Sequence, residues 1–156
     1  MTDDHDDRDL LQLDAGRFDE AASPQAIRLA RALQALADGL PNPWDESTDY
    51  FRGFAVPLAA ATVLDPEAFR GALGIGARYQ IDLTPAEDRL AQLDDAGWGD
   101  DIAGGFRQLA QVMRTTLREL TLAHARGAGV VRVRIWLFGR AADGALVGLR
   151  SISTET

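Results

Sequence analysis

Residues 130–152 constrain the fold more than any other stretch. The first arm, Val130 to Gly139, is dominated by β-branched and aromatic residues. Asp143-Gly144 is a strong turn signal, and Ala145 to Ile152 forms a second apolar arm. Alternation puts Val131, Val133, Ile135 and Leu137 on one face and Val130, Arg132, Arg134, Trp136 and Phe138 on the other. Large apolar groups on both faces require cover on both sides, so the hairpin predicts a sheet with helices above and below it. Ser153 to Thr156 follow the second arm. The sequence therefore predicts a short anionic tip, ending in a carboxylate, carried by a rigid strand.

The rest of the chain supplies the cover. Ser23-Pro24 predicts a helix start, N-cap then first-turn proline. Leu29, Leu33, Leu36 and Leu40, with Ile27, Ala30 and Ala37, form its buried stripe, and Gly39 and Pro41 stop it near Asp38. Tyr50 to Val56 reads as a strand in which Gly53 marks a bulge or close packing. Asp65-Pro66 opens a short helix through Leu73, and Arg78 to Leu83 alternates as a strand. Thr84-Pro85-Ala86-Glu87 reads as a capping box opening a helix to about Leu93. Ile102, Phe106, Leu109, Met113, Leu117, Leu120 and His124 keep helical spacing, which predicts one long helix from Asp101 to Ala125.

Charge divides the chain. The net charge is -8, and residues 1–22 hold eight acids against two arginines, a local balance of -6. Few apolar residues accompany those acids, so residues 1–22 read as an acidic tail, largely disordered, ahead of a single domain over 23–156. Cysteine is absent, which removes disulfides and thiolate chemistry. No apolar run reaches the ~20 residues of a membrane span, and the N-terminus lacks a signal-peptide pattern, so a cytoplasmic protein is expected.

Catalytic patterns are missing. There is no nucleophile elbow, phosphate loop or His-Glu-x-x-His, and Gly74 and Gly76 form a helix stop, not a nucleotide cradle. His5 sits in a flexible acidic tail, a poor metal site, and His124 falls on the apolar stripe of the long helix. Adjacent acids at Asp45/Glu46, Glu87/Asp88, Asp94/Asp95 and Asp100/Asp101 have no histidine or serine pattern around them. The arginines Arg126, Arg132, Arg134, Arg140 and Arg150 read as a solvated strand face; with an acidic whole, nucleic-acid binding is not expected. The features that stand out are the loop around Trp44-Asp45-Glu46, the loop around Trp98, and the Glu155-Thr156 terminus. Aromatic anchors beside carboxylates suit a protein-binding surface.

Several stretches resemble the nuclease A inhibitor family. A first helix ends in Ala37-Asp38-Gly39-Leu40, followed by an acidic loop and the aromatic strand Tyr50-Phe51-Arg52-Gly53-Phe54. Ile81-Asp82 leads into helix, and Phe106 and Leu109 open the long helix. The hairpin carries Trp136-Leu137-Phe138-Gly139, then Ala142, Gly144, Leu146 and Gly148, and the chain ends Glu155-Thr156. The resemblance covers roughly Pro24 to Thr156. It implies a three-layer α/β/α sandwich of the pathogenesis-related-protein-1-like type with a mixed, largely antiparallel sheet. It also implies a non-enzymatic inhibitor that needs no cofactor of its own and blocks a sugar-non-specific endonuclease of the ββα-metal class. In that family a loop glutamate reaches the nuclease's Mg²⁺, while a C-terminal threonine and a tryptophan help hold the complex. The glutamate's position falls on Asp45 without a gap or on Glu46 with a small one, the threonine matches Thr156, and the tryptophan is best matched by Trp98. A binding module of the same fold with a non-nuclease partner is the alternative.

Overall fold

The computed structural model describes residues 22–40, 51–92, 100–127 and 132–154. Among them the chain forms four helices, α1 (Pro24–Ala37), α2 (Pro66–Leu73), α3 (Glu87–Gln92) and α4 (Asp100–Thr116). Five strands accompany them: β1 (Arg52–Val56), β2 (Gln80–Pro85), β3 (Arg118–Arg126), β4 (Arg132–Arg140) and β5 (Leu146–Thr154). The strands form one sheet in the order β1-β5-β4-β3-β2. Every neighbouring pair is antiparallel, so the expected mixed sheet is not formed.

The hairpin is built as its sequence predicts. Alternate residues serve separate cores: Ile135, Leu137, Val147 and Leu149 pack with α1, α3 and α4 on a first face. Trp136, Phe138 and Leu146 pack with α2 and Tyr79 on the second. Gly148 is what lets the second face close. It lies between Phe54 and Phe138 in register, and a Cβ there would collide with the β4 backbone. Without it the two rings meet edge to face at 6.1 Å, and Phe69 of α2 stacks on Phe138 at 5.1 Å.

Caps fix where α1 and α2 begin. The Ser23 hydroxyl accepts from Ala26 N, and the Asp65 carboxylate accepts from Ala68 N. Gly74, in the left-handed region, ends α2. Against expectation, the buried centre of α1 is Ala26, Ala30, Leu33 and Ala37, while Leu29 and Leu36 are only partly buried beside it. Small residues there let the helix approach the edge strand: a Cβ on Gly53 would sit 2.6 Å from the Ala30 carbonyl oxygen. Gln34 exploits that approach. Its amide donates to Phe51 O at 3.1 Å and accepts from Gly53 N, so a side chain occupies the unpaired edge of β1 as a neighbouring strand would.

Two expectations fail in the middle of the chain. The helix opened at Asp100 ends at Thr116, and residues 118–126 are strand β3, not further helix. Leu120 and His124 merely continue the helical spacing; as a strand the same segment sends Leu122 to the first core and Ala123 and Ala125 to the second. The junction is tight. Only Leu117 separates the two elements, and Glu119 adopts a positive φ of 53° where the β3–β4 register shifts. Thr84-Pro85 is likewise no helix cap: both residues end β2, and the Thr84 hydroxyl donates to Leu122 O across the ladder. The short helix α3 starts at Glu87 instead.

Candidate functional site

Two ends of the molecule are distinct. The turn end holds the β4–β5 connection, where Asp143 accepts from Ala145 N and hydrogen-bonds the Ser23 hydroxyl at the start of α1. These hydrogen bonds, the Ala145 amide first and Ser23 next, hold the Asp143 carboxyl below its ordinary value against the opposing effect of burial. Arg140 ties the same end together. Its guanidinium is buried and donates to Gly144 O at 3.1 Å, Thr62 O at 2.6 Å and Ala59 O at 2.7 Å. A cavity of about 500 Å³ lined by Ser23, Pro57, Leu58 and Asp143 opens here, as does one of about 330 Å³ lined by Leu64, Pro85, Glu119 and Thr121. Each is lined by one carboxylate and no histidine, which is not an acid–base constellation.

The opposite end gathers the anchors of the segments that the sequence singles out. Helix α1 runs away from the turn end, and just beyond it Leu40 lays its side chain against Gly105 in the first turns of α4. Strand β1 enters the sheet at this end beside the exit of β5, with Arg52 opposite Arg150. Strand β5 continues to Thr154, opposite Arg132. Segment 41–50, between Leu40 and Phe51, and segment 155–156, after Thr154, therefore depart from this end, and segment 93–99 enters α4 there at Asp100. Trp44, Asp45, Glu46, Trp98, Glu155 and Thr156 all fall in these segments and so lie outside the described residues, as does the acidic tail.

Sequence reasoning missed the character of the arginines. Arg134, Arg140 and Arg150 are not a solvated strand face; their exposures are 2%, 4% and 6%. Arg134 lies over the Tyr79 ring at 5.8 Å and Arg150 over the Phe54 ring at 6.0 Å, with Trp136 opposite Arg150 in register. The signal was present: these arginines share a strand face with Trp136 and Phe138, and a face that buries those rings buries its neighbours too. His124 is also corrected. It is a half-buried strand residue opposite Asp82, on whose carboxylate Arg126 forms a 3.0 Å ion pair.

Among the described residues there is no group of three or more histidines, cysteines or acids that could hold a metal ion, and no helix long and apolar enough to cross a membrane. The sequence matches no family model and no curated protein at a significant level.

Proposed function

We propose that this protein is a cytoplasmic inhibitor of a Mg²⁺-dependent, sugar-non-specific nuclease of the ββα-metal class. In this reading its sheet and helices are the three-layer α/β/α sandwich of the pathogenesis-related-protein-1-like type. The observation that carries the reading is the convergence of anchors at one end. Leu40 against Gly105, and Arg52 beside Arg150, bring both ends of segment 41–50, the entry of segment 93–99 into α4 and the strand that leads to 155–156 toward one end. Residues 41–50 and 93–101 contain Asp45, Glu46, Asp49, Asp94, Asp95, Asp100 and Asp101, and no basic residue. A nuclease that cuts any sequence must grip phosphates in a positive cleft around its metal. A rigid body offering carboxylates and a tryptophan from one end suits such a cleft.

In this mechanism Asp45 or Glu46 replaces a phosphate oxygen on the nuclease's Mg²⁺, a hard cation that prefers oxygen ligands. Glu155 and Thr156, with Trp44 and Trp98, hold the rim, and the chain itself performs no catalysis. The test is degradation of DNA and RNA by the host's Mg²⁺-dependent nuclease, with and without this protein. Wild type suppresses both activities, and the double variant Asp45→Ala/Glu46→Ala loses at least about 100-fold in inhibition, the loss expected for a buried charged contact. Unchanged inhibition by the double variant removes this mechanism. A binding module with another partner is separated by affinity capture from the host: a nuclease dominates the bound fraction only if the inhibitor reading holds.

A further inference from the structure

We propose that the cleft beside Glu119 is a second binding site, which takes a lysine side chain of a partner protein. The proposal is independent of the nuclease reading, because the cleft belongs to the turn end, opposite the end from which segment 41–50 departs. Its volume is about 330 Å³, at the small end of the range for ligand sites. Leu64, Leu83 and Leu120 form its apolar walls, and Thr84, Glu119 and Thr121 supply its polar lining. The three leucines are partly buried and packed against one or the other core, so the walls are anchored.

The polar lining can only accept hydrogen bonds. The Thr84 hydroxyl donates to Leu122 O at 3.3 Å, and the Thr121 hydroxyl donates to Glu119 O at 2.6 Å. With those hydrogens engaged on backbone, both oxygens turn lone pairs to a ligand. The Glu119 carboxylate is exposed and only loosely paired. Arg140 Nη1 lies 3.8 Å from it, beyond hydrogen-bond range, while Arg140 Nε, Nη1 and Nη2 each donate to a carbonyl. One of those carbonyls is Thr62 O, so Arg140 also steadies the wall that carries Leu64. Acceptors from three residues suit the three rotatable donors of an ammonium group, and the apolar walls suit its four-carbon stem.

Two further observations point the same way. Glu119 has a positive φ of 53° where the β3–β4 register shifts. Glycine holds such a φ without strain; a glutamate there is costly, and such strain clusters at functional positions. The irregularity re-aims the side chain, and here it sets a carboxylate at the cleft. Val63, next to Leu64, is 77% exposed and is the only exposed large hydrophobic among the described residues. It does not line the cleft. A free amine seated there leaves Val63 bare, whereas an apolar residue flanking a lysine covers it, which favours a protein as the source of the cation.

The test follows amide NMR spectra of the full chain while the tripeptide acetyl-valyl-lysyl-valinamide is added. Saturable shifts are expected at Leu64, Leu83, Glu119 and Thr121, with a dissociation constant on the order of 1 mM. The norleucine analogue, which keeps the stem and loses the charge, binds about fivefold more weakly, the upper end for an exposed ion pair. The lysyl peptide loses about the same factor on Glu119→Gln. n-Pentylammonium, the free-amine probe, binds more weakly than the peptide, and Val63→Ser removes that difference. Glu119→Gly loses the same affinity while its urea midpoint rises, because the strain is relieved. Several results overturn the proposal: no saturable shift at these residues up to about tenfold above the expected constant, equal binding of the norleucine analogue, or unchanged affinity in Glu119→Gln or Val63→Ser. So does pentylammonium binding as tightly as the peptide, which makes the cleft a free-amine site. A lowered urea midpoint in Glu119→Gly overturns it too, by assigning Glu119 to structural pairing with Arg140.

Discussion

One added methyl group tests the contact that sets α1 against the sheet. In Gly53→Ala the new Cβ meets Ala30 O at 2.6 Å and Gln34 Cβ at 3.2 Å. Ordinary contact begins near 3.4 Å, so helix and strand must separate by roughly 0.8 Å at that point. Overpacking of this kind costs about 1–3 kcal/mol. The same shift loosens both Gln34 hydrogen bonds to β1, at about 1 kcal/mol each. The expected total is about 3–5 kcal/mol, a fall in melting temperature on the order of 10–15 °C for a domain this size. Urea and thermal unfolding of the variant measure it. Gln34→Ala alone should cost about 1–2 kcal/mol, and less in the Gly53→Ala background, because the shift has already weakened the clasp. A Gly53→Ala protein within about 0.5 kcal/mol of wild type, the range of inconsequential substitutions, refutes the close approach. Under the inhibitor function proposed above, α1 and β1 bracket segment 41–50, so the same variant should weaken nuclease inhibition without touching Asp45 or Glu46.

Arg140→Met should destabilise by about 3–5 kcal/mol in urea unfolding, since it strands three carbonyl acceptors at the turn end. Arg114→Ala, which removes an exposed ion pair with Glu87, should cost under about 1 kcal/mol in the same assay. Asp143 should contribute to stability in a pH-dependent way: its folded pKa is depressed, so its contribution is complete above the ordinary carboxylate range and is lost as pH falls through the folded value. The difference in urea midpoint between wild type and Asp143→Asn should therefore be constant above about pH 5 and shrink as the solution is acidified further, whereas a difference that grows on acidification has the wrong sign.

The hairpin, α1, α2 and the strands around Gly53 and Ile81 were legible because local signals and burial agree there: caps sit before prolines, and alternation continues between glycines. Strand β3 was illegible for a definite reason. Phe106, Leu109 and Met113 are genuine helix-core residues, Leu117 continues their stripe one residue past the helix end, and Leu120 and His124 fall on its next two positions. Strand β3 buries Thr121, Ala123 and Ala125, small residues whose alternation against Leu122 is a faint signal. Tertiary pairing on both sides, with β2 and β4, decides the conformation where periodicity points elsewhere. The same blindness to context made Arg134 and Arg150 look like surface. The candidate partner-binding residues were found through aromatic–acid composition and family resemblance; the fold adds the shared end at which their segments join it.

The strand order carries a consequence for synthesis. Strands β2, β3 and β4 follow one another along the chain and can pair as the ribosome delivers them, but β1 borders only β5, about a hundred residues downstream. Until β5 emerges, a nascent polypeptide holds Phe54 and Val56 without their partner and leaves one side of β4 open. Completion of the sheet is thus a late, long-loop event, which favours slow, post-translational closure and makes the interval before it the one in which chaperones matter most.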